Sequence, residues 1–174
     1  FRQVARQGDG YGCTSDFAGM KVMVEFSCPN TNKPLHLGHL RNDSLGESIS
    51  RILKANGAEV QKVNLINDRG VHICKSMLAY QKFGGGSTPE SEGMKSDHFV
   101  GEYYVRFAKW AQEDPRAEIE AQSMLHAWEQ GDEEVVTLWK LMNHWAVTGI
   151  EQTYQRTKIS FDAVYYESQT YSRG

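Results

Sequence analysis

The sequence predicts an α/β fold in which a parallel sheet is interrupted by a mostly helical segment. A strand pattern, a helical pattern and a second strand pattern follow one another between Lys21 and Ile66, and a helix between two strands is the crossover that parallel pairing requires. Long helical patterns then fill the region 84–158, and a further strand pattern begins at Phe161. This order is typical of a Rossmann-like, nucleotide-binding sheet that carries a helical insertion.

Composition restricts the class of protein. The chain has 174 residues, of which 40% are hydrophobic and 24% charged, as in a soluble globular protein with room for one ordinary domain. Its net charge of −3 argues neither for nor against nucleic-acid binding. No apolar run approaches the roughly 20 residues of a membrane span, and no signal peptide opens the chain. We therefore expect no membrane association and a cytoplasmic location.

The cysteines agree with that location. Cys13, Cys28 and Cys74 are odd in number and widely spaced, and they form no C-x-x-C pair. This usage fits a reducing compartment and gives no metal site.

Four segments are expected along the chain. Residues 1–20 are rich in glycine, have few apolar residues and show no periodicity, which is typical of a lead-in loop. The segment 21–83 is expected to be the first βαβ part of the sheet domain, 84–158 the helical insertion, and 159–174 the return strand of the sheet domain. Neither end of the sequence resembles a finished terminus, so we expect a fragment of a larger protein.

The first βαβ unit begins with the strand Lys21–Ser27, which is rich in valine and phenylalanine. A helix is predicted from His36, and Asn56-Gly57 ends it because glycine takes the left-handed cap at no steric cost. The apolar residues of this helix repeat at helical spacing, and we expect a buried stripe formed by Leu45, Ile49, Ile52 and Leu53. The second strand is Glu59–Ile66.

The second half of the chain is predicted to be helical until its last strand. A helix over Val71–Phe83 is followed by a flexible, glycine-rich loop over 84–96. Three further helices are predicted, over Asp97–Gln112, Ala117–Gln130 and Glu133–Thr157. Asp132 is the expected N-cap of the last helix. Its expected buried stripe is Val135, Leu138, Trp139, Met142, Ala146, Ile150 and Tyr154. Phe161–Glu167 is predicted to be a strand.

Two polar loops leave the carboxyl ends of the first two strands. One runs from Cys28 to His39 and is stiffened by Pro29 and Pro34, and the other is Asn67–Gly70. Ligands of parallel sheets bind outside these strand ends. The two loops are therefore expected to meet in one crevice.

His36 and His39 stand where the helical pattern begins, with Gly38 between them. The missing side chain of Gly38 leaves room for a planar base against the backbone, and a helix N-terminus offers free N–H groups and a positive dipole end to phosphate. Imidazoles there can donate to phosphate oxygens as charge builds in a transition state. Two alternatives are a metal pair, for which no third ligand has a sensible spacing, and two histidines satisfied at a helix end.

The other polar residues of these loops have an ordinary interpretation beside a functional one. Lys33 is either a phosphate contact or an exposed loop lysine, Asn30 fits a simple turn, and Cys28 fits plain packing. Glu25 and Glu167 each stand at the end of an apolar strand, where an acid faces solvent or binds a cationic ligand. Two such carboxylates would suit a guanidinium or ammonium group.

The signature loop, residues 24–41, resembles a known family. Its string V-E-F-S-C-P-N-T-N-K-P-L-H-L-G-H-L-R resembles the arginyl-tRNA synthetase form V-E-F-S-S-P-N-x-x-K-P-x-H-x-G-H-L-R of the H-x-G-H signature that class I aminoacyl-tRNA synthetases and related nucleotidyltransferases share. The segments F-D-A-V-Y-Y-E-S (161–168) and N-D-R-G-V-H-I-C-K-S-M-L-A (67–79) also resemble this family. The resemblance covers most of residues 21–172. It implies the first half of a class I synthetase catalytic domain.

The resemblance implies roles for the matching residues. His36, His39 and Lys33 would be catalytic, with Lys33 standing in for the lysine-rich loop that arginyl enzymes often lack. ATP would be bound by His36, Gly38, His39 and Lys33. Arginine would be bound by Glu25, Cys28, Pro29, Asn30, His39 and Glu167, with the two acids on its cationic side chain.

The implied reaction has two steps. Arginine reacts with ATP, supplied as its Mg²⁺ complex, to give arginyl-adenylate, and the 3′-terminal ribose of tRNA(Arg) then takes the arginyl group. The implied partners are ATP, L-arginine and tRNA(Arg), with no tightly bound cofactor, no metal site and a monomeric state. In this family the tRNA is generally needed even for the first step.

The sequence departs from the family pattern in two places. Cys28 stands where a second serine is usual, and a thiol is a weaker hydrogen-bond partner than a hydroxyl. Asp68-Arg69-Gly70 stands where many relatives have Asp-Trp-Gly.

Two other functions remain open from the sequence. Another H-x-G-H nucleotidyltransferase or class I synthetase would activate a different acid, although Glu25, Glu167 and the S-C-P-N-x-x-K-P string favour arginine. A non-catalytic binding module would keep the fold without the activity, although the intact H-x-G-H motif and Lys33 disfavour it. The 174-residue chain alone is expected not to charge tRNA at a useful rate, because the later half of the sheet and the anticodon-binding domain are expected to lie outside it.

Overall fold

A computed structural model of the chain describes residues 1–171, and within them the predicted α/β fold is confirmed. Three parallel strands form one sheet in the order β1-β2-β3. Their bounds are Lys21–Glu25 for β1, Glu59–Ile66 for β2 and Ala163–Tyr166 for β3. Glu25 pairs with Val63 at the end of β1, and Ile66 pairs with Tyr166 at the end of β3.

Helices connect the strands as parallel pairing requires. The crossover between β1 and β2 is α2, Leu37–Ala55. Four helices lie between β2 and β3 and are called the helical region below: α3 Val71–Phe83, α4 Ser96–Glu113, α5 Arg116–Glu129 and α6 Glu133–Thr157. The N-cap of α6 is Asp132, as predicted; its carboxylate accepts from the backbone of Glu134 and Val135. A short helix, α7 Glu167–Thr170, follows β3.

The helical region has its own core. The buried residues form one hydrophobic cluster in which aromatic rings meet edge to face: Phe99 with Tyr103, Phe99 with Trp145, and Tyr80 with both Tyr103 and Trp145. Met77 of α3 and Met142 of α6 are buried in the same cluster. α3 therefore shares the core of the helices that follow it, although the sequence placed it with the βαβ unit.

The predicted lead-in loop over 1–20 contains regular structure. Residues Arg2–Gln7 form a short exposed helix, α1, and a single 3-10 turn over Gly8–Gly10 follows. Arginine, glutamine and alanine are good helix formers, and the nearby glycines hid this from the sequence pattern. The later part of the segment is tied to the end of α2, where Thr14 N–H donates to Ala55 and Phe17 N–H to Asn56.

The predicted buried stripe of α2 is wrong. Leu45, Ile49 and Ile52 are 52%, 49% and 61% exposed, whereas the helix buries Asp43, Gly46 and Ser50. Gly46 explains the orientation, because a Cβ there would lie 2.2 Å from the Phe26 ring. The helix thus approaches the sheet on its small and polar face. Periodicity shows that a helix has an apolar face but does not show what covers it.

Strand ends differ slightly from the prediction. β1 ends at Glu25 rather than Ser27, and β3 occupies only Ala163–Tyr166 of the predicted 161–167. Of the expected return segment 159–174, residues 172–174 lie outside the described residues. None of the helices formed within residues 1–171 is long and apolar enough to cross a membrane.

Candidate active site

The two polar loops meet at the carboxyl edge of the sheet, as expected. Asn30 forms a parallel bridge with Asn67. Asn67 N–H donates to the carbonyl of Pro29 at 2.9 Å, and its side-chain amide donates to the carbonyl of Cys28 at 3.1 Å. Thr31 N–H donates to Asn67 at 3.2 Å. The loop after β2 therefore holds the middle of the signature loop in place.

The signature loop begins with a left-handed bend. Ser27 and Cys28 have φ values of +72° and +48°, a region that residues other than glycine rarely adopt. Side-chain amides hold both residues: Ser27 N–H donates to Asn42 Oδ1, and Cys28 N–H donates to Asn64 Oδ1 at 3.0 Å. The bend turns the chain out of β1 and toward Asn67.

His36 and His39 form a reciprocal cap at the start of α2. The Nδ1 atom of His36 accepts from Gly38 N–H at 3.0 Å, and the Nδ1 atom of His39 accepts from His36 N–H at 3.1 Å. The ring centroids are 4.1 Å apart. Two orphan N–H groups of the helix are satisfied in this way, as in a capping box.

Gly38 is required by this cap. A Cβ at position 38 would lie 2.8 Å from Cε1 of His36 and 3.0 Å from its Nδ1. Any larger residue would displace the His36 ring from the helix N-terminus. The H-x-G-H spacing therefore has a local steric reason in addition to any ligand.

The cap fixes the hydrogen-bonding character of both rings. Because each Nδ1 accepts a hydrogen bond, a neutral ring must carry its proton on Nε2. Burial lowers the pKa of His39, and the neighbouring His36 and Lys33 lower it further. At neutral pH His39 is therefore an uncharged ring whose remaining donor is Nε2–H.

Lys33 and Pro34 lie against the helical region. Gly101 of α4 is buried, and a Cβ there would lie 2.7 Å from Cδ of Pro34 and 3.6 Å from Cα of Lys33. The backbone of α4 thus approaches the loop more closely than any residue with a side chain would allow. Lys33 is placed by this contact beside the start of α2.

The two acids expected at an arginine side chain are not adjacent. Glu25 is exposed at the level of Val63 and Ala163, whereas Glu167 is four residues beyond Ala163 at the start of α7. Four residues correspond to about 13 Å along a strand, and β2 separates the two outer strands by roughly 10 Å. Asn30, paired with Asn67, lies at the level of Glu167 instead.

Cys28 is the loop residue in contact with Glu25. Its Sγ lies 3.4 Å from Glu25 Oε1, and burial and the neighbouring acids raise the pKa of the thiol. The thiol is therefore protonated and can donate to the carboxylate. Pro29 is fully buried, and Asn30 is half-buried.

The sequence reasoning missed several residues that position the site. Asp68 accepts from Ser168 N–H at 2.8 Å and from Ser168 Oγ at 2.7 Å, which fixes α7 beside Glu167. Its backbone carbonyl accepts from Trp139 Nε1 at 2.7 Å. Arg69 lies over the Tyr171 ring at 3.9 Å and pairs with Glu129. No periodic signal could have found these contacts, because they join distant parts of the chain.

The histidines do not form a metal centre with other residues. Among residues 1–171, no group of three or more histidine, cysteine, aspartate or glutamate side chains could hold a metal ion. Both Nδ1 atoms of the histidine pair are already used in the cap.

Comparison with known proteins gives one consistent family. The family model described as tRNA synthetases class I (R), catalytic domain, matches residues 7–172. An arginine–tRNA ligase of Treponema denticola is 64% identical over 174 residues, covering 99% of this chain and 30% of the relative. The corresponding ligase of Borrelia garinii is 55% identical over 173 residues, with 99% and 30% covered. The chain thus spans about 30% of the length of the curated relatives it matches.

Solved structures agree with the fold. The arginyl-tRNA synthetase of Thermus thermophilus superposes with a TM-score of 0.72 at 29% identity, covering 96% of this chain and 27% of the other. The Plasmodium falciparum arginyl-tRNA synthetase has a TM-score of 0.62 at 22% identity, covering 91% of this chain and 25% of the other, and shows similarity of fold alone.

Proposed function

The chain belongs to the catalytic-domain family of the class I tRNA synthetases for arginine, and we propose that it forms part of the catalytic domain of an arginine–tRNA ligase. The observation that carries the proposal is the paired histidine cap at the N-terminus of α2, next to the carboxyl edge of a parallel sheet. That position combines free donors, a positive helix end and a crevice.

ATP binds, in this proposal, at the N-terminus of α2. The Nε2–H groups of His36 and His39 donate to the α-phosphate, and Gly38 contributes by leaving the space that the His36 ring occupies. Lys33 supplies the cation that balances charge on the phosphates. ATP enters as its Mg²⁺ complex and is a substrate, with no tightly bound cofactor.

Arginine binds between the bend and the end of β3. The half-buried Asn30, with Cys28 and His39, holds the main-chain end of the amino acid near the phosphate, and the fully buried Pro29 contributes by fixing the backbone between Cys28 and Asn30. Glu25 and Glu167 both serve the cationic side chain of arginine. Because these two acids lie far apart along the sheet, each would contact a different part of an extended ligand rather than bracket one group.

The chemistry needs position and charge more than covalent catalysis. A carboxylate oxygen of arginine bonds to the α-phosphorus as the bond to the bridging oxygen breaks and pyrophosphate leaves. The ribose hydroxyl of the tRNA terminus then attacks the arginyl carbonyl carbon, and AMP leaves. Neutral donors such as Nε2–H of His39 stabilise the negative charge that builds up on the α-phosphate in the transition state, and they do not repel the arginine cation.

The remaining partners follow from this function. tRNA(Arg) is the acceptor, and we propose a monomeric, cytoplasmic enzyme. The 174-residue chain alone is expected to charge no tRNA at a useful rate, because it spans only 30% of its relatives. Tested in a charging assay, a rate for the isolated chain equal to that of a full-length ligase would contradict this expectation.

The test of the proposal is the amino-acid dependence of ATP–pyrophosphate exchange. The full-length polypeptide that carries this chain is assayed with each amino acid in turn, with tRNA present. Exchange with arginine alone is expected. Exchange with another amino acid would favour a different class I synthetase, and no exchange with any amino acid, from a folded protein, would favour a binding module.

A further inference from the structure

The left-handed bend at Ser27 and Cys28 needs outside support. Residues other than glycine are strained at φ of +72° and +48°, and they persist there only where their surroundings over-determine them. The bend lies between Glu25 and Asn30, both of which are in the proposed arginine site. Whatever holds the bend also sets the spacing of these two contacts.

Part of that support comes from the helical region. The hydroxyl of Tyr154, on α6, lies 2.6 Å from Ser27 Oγ and accepts from Asn64 Nδ2 at 3.2 Å. The Tyr154 ring packs on Phe161 with centroids 5.3 Å apart, and Phe161 packs on Phe26 at 4.7 Å. The hydroxyl is therefore held at the end of a rigid aromatic stack.

One set of donors and acceptors satisfies every member of this network. Asn64 Oδ1 accepts from Cys28 N–H, so its amide nitrogen must be the donor to Tyr154. The Tyr154 oxygen accepts there, and its own hydrogen is available to Ser27 Oγ at 2.6 Å. In this arrangement the hydrogen of Ser27 is directed to a further acceptor.

A buried carboxylate, Asp43, lies on α2 next to Asn42, the residue that holds Ser27 N–H. Its side chain is 1% exposed, and neither carboxylate oxygen has a hydrogen-bond partner among residues 1–171. Burial raises the pKa of Asp43, and the Ser27 hydroxyl is the neighbouring group that lowers it.

We propose that Tyr154 and Asp43 are positioning residues for the arginine end of the site, acting on the Ser27 hydroxyl from two sides to hold the bend. Tyr154 donates to Ser27, and Ser27 donates to Asp43. The helical region is thereby linked to amino-acid binding through one hydroxyl group, while the histidine cap at the ATP end is held separately by its own backbone contacts. This inference rests on the proposed function.

The test compares the KM for arginine with the KM for ATP in the full-length ligase that carries this chain. Tyr154→Phe keeps the aromatic stack and removes only the hydroxyl. The KM for arginine is expected to rise about 10-fold, the scale of one lost buried hydrogen bond, and the KM for ATP to stay within about 2-fold. The matched control is Tyr80→Phe, which removes a hydroxyl bonded to Ser87 at 2.8 Å in the helical region and should change neither constant.

Asp43 is tested by a pair of substitutions. Asp43→Leu removes the acceptor and should raise the KM for arginine like Tyr154→Phe, whereas Asp43→Asn keeps an acceptor oxygen and should restore most of the affinity. The double variant Ser27→Ala with Tyr154→Phe should lose less than the sum of the two single variants, since the two residues share one bond. If circular dichroism shows that Asp43→Leu does not fold, the double variant and Asp43→Asn test the network in its place.

The outcomes distinguish a failure of the positioning role from a failure of the proposed function. Equal rises in both KM values, or no rise in Tyr154→Phe, would overturn the positioning role. Additive effects in the double variant would also overturn it. If the wild-type ligase activates another amino acid, the proposed function fails, and the same KM comparison made with that amino acid still tests the network.

Discussion

The helical region and the sheet with α2 are stabilised in different ways. The helical region buries a continuous apolar cluster that includes Met77, Phe99 and Phe107. The sheet and α2 bury polar side chains, among them Asp43, Lys62 and Asn64, beside a few apolar ones such as Val63 and Ile66, while the apolar stripe of α2 faces solvent.

The two regions therefore have different roles, one in supporting the fold and one in orienting polar groups. Apolar burial stabilises a fold without regard to direction, so the helical region can serve as a rigid support. Buried polar groups place hydrogen bonds in fixed directions but cost free energy when left unpaired. The support reaches the signature loop at two places, through the Tyr154 hydroxyl at Ser27 and through the close approach of Gly101 to Pro34.

A substitution in the core of the helical region should destabilise the support itself. Phe107→Ala removes a buried ring from the core of the helical region and should lower the free energy of unfolding by about 3–5 kcal/mol. Urea unfolding of the 174-residue chain measures this. Ile119→Ala, on the exposed side of α5, is the control and should stay within about 0.5 kcal/mol. Equal effects from the two substitutions would mean that the helical cluster is not the main source of stability.

The contact between α4 and the loop should affect ATP use more than stability. Gly101→Ala places a Cβ 2.7 Å from Pro34 Cδ, so the loop with Lys33 must shift. Alanine is the better helix former by about 1 kcal/mol, which offsets part of the strain within α4. In the proposed full-length ligase we expect the KM for ATP to rise about 10-fold. A 10-fold change corresponds to about 1.4 kcal/mol, which is within the usual cost of overpacking.

The control for this contact is Gly84→Ala. Its Cβ would lie 2.5 Å from the carbonyl oxygen of Tyr80, a similar clash that does not involve the loop. It should lower stability and leave the KM for ATP unchanged. If both glycine variants change the KM for ATP alike, α4 has no special influence on Lys33.

A smaller effect concerns the pH dependence of stability. Burial raises the pKa of Asp43 above its ordinary value of 3.8, so the folded state binds more protons than the unfolded state in the interval above 3.8. Stability should therefore fall as the pH rises through this interval. Asp43→Asn should remove that part of the slope in unfolding curves measured at successive pH values. A slope that is unchanged in Asp43→Asn would show that other groups cause it.

The smallest effect tests the exposed stripe of α2. Ile49→Gln on the 174-residue chain should change the free energy of unfolding by no more than about 0.5 kcal/mol. Ile150→Gln, at a residue of α6 that is 0% exposed, is the matched comparison and should cost several-fold more, since it buries a polar group in the core. Equal costs would show that the stripe is buried in solution.

Much of the fold could be predicted from the sequence because its signals are local. Alternating and helical periodicities found β2, α3 and α6 within a residue or two, and Asp132 was predicted as a cap. The face of α2 that packs on the sheet could not be predicted, because a periodic apolar stripe does not show which element lies against it. Gly46 was the one local sign that this helix approaches the sheet on its small face.

The sequence indicates which residues form the candidate site but not which contacts hold them in place. The signature loop identified His36, His39 and Lys33, whereas the reciprocal cap and the left-handed bend are properties of backbone geometry. Periodicity predicts Tyr154 only as one residue of the buried stripe of α6, because it does not show where a hydroxyl group points. The distance between Glu25 and Glu167 depends on strand register, which a single sequence does not fix.

The most direct measurement is the rate of arginyl-adenylate formation by the proposed full-length ligase with His39→Ala. We expect a loss of at least about 10²-fold relative to wild type, the scale of one transition-state donor, in a protein whose unfolding curve shows it to be folded. A near-normal rate would show that the histidine pair at the start of α2 takes no part in the reaction.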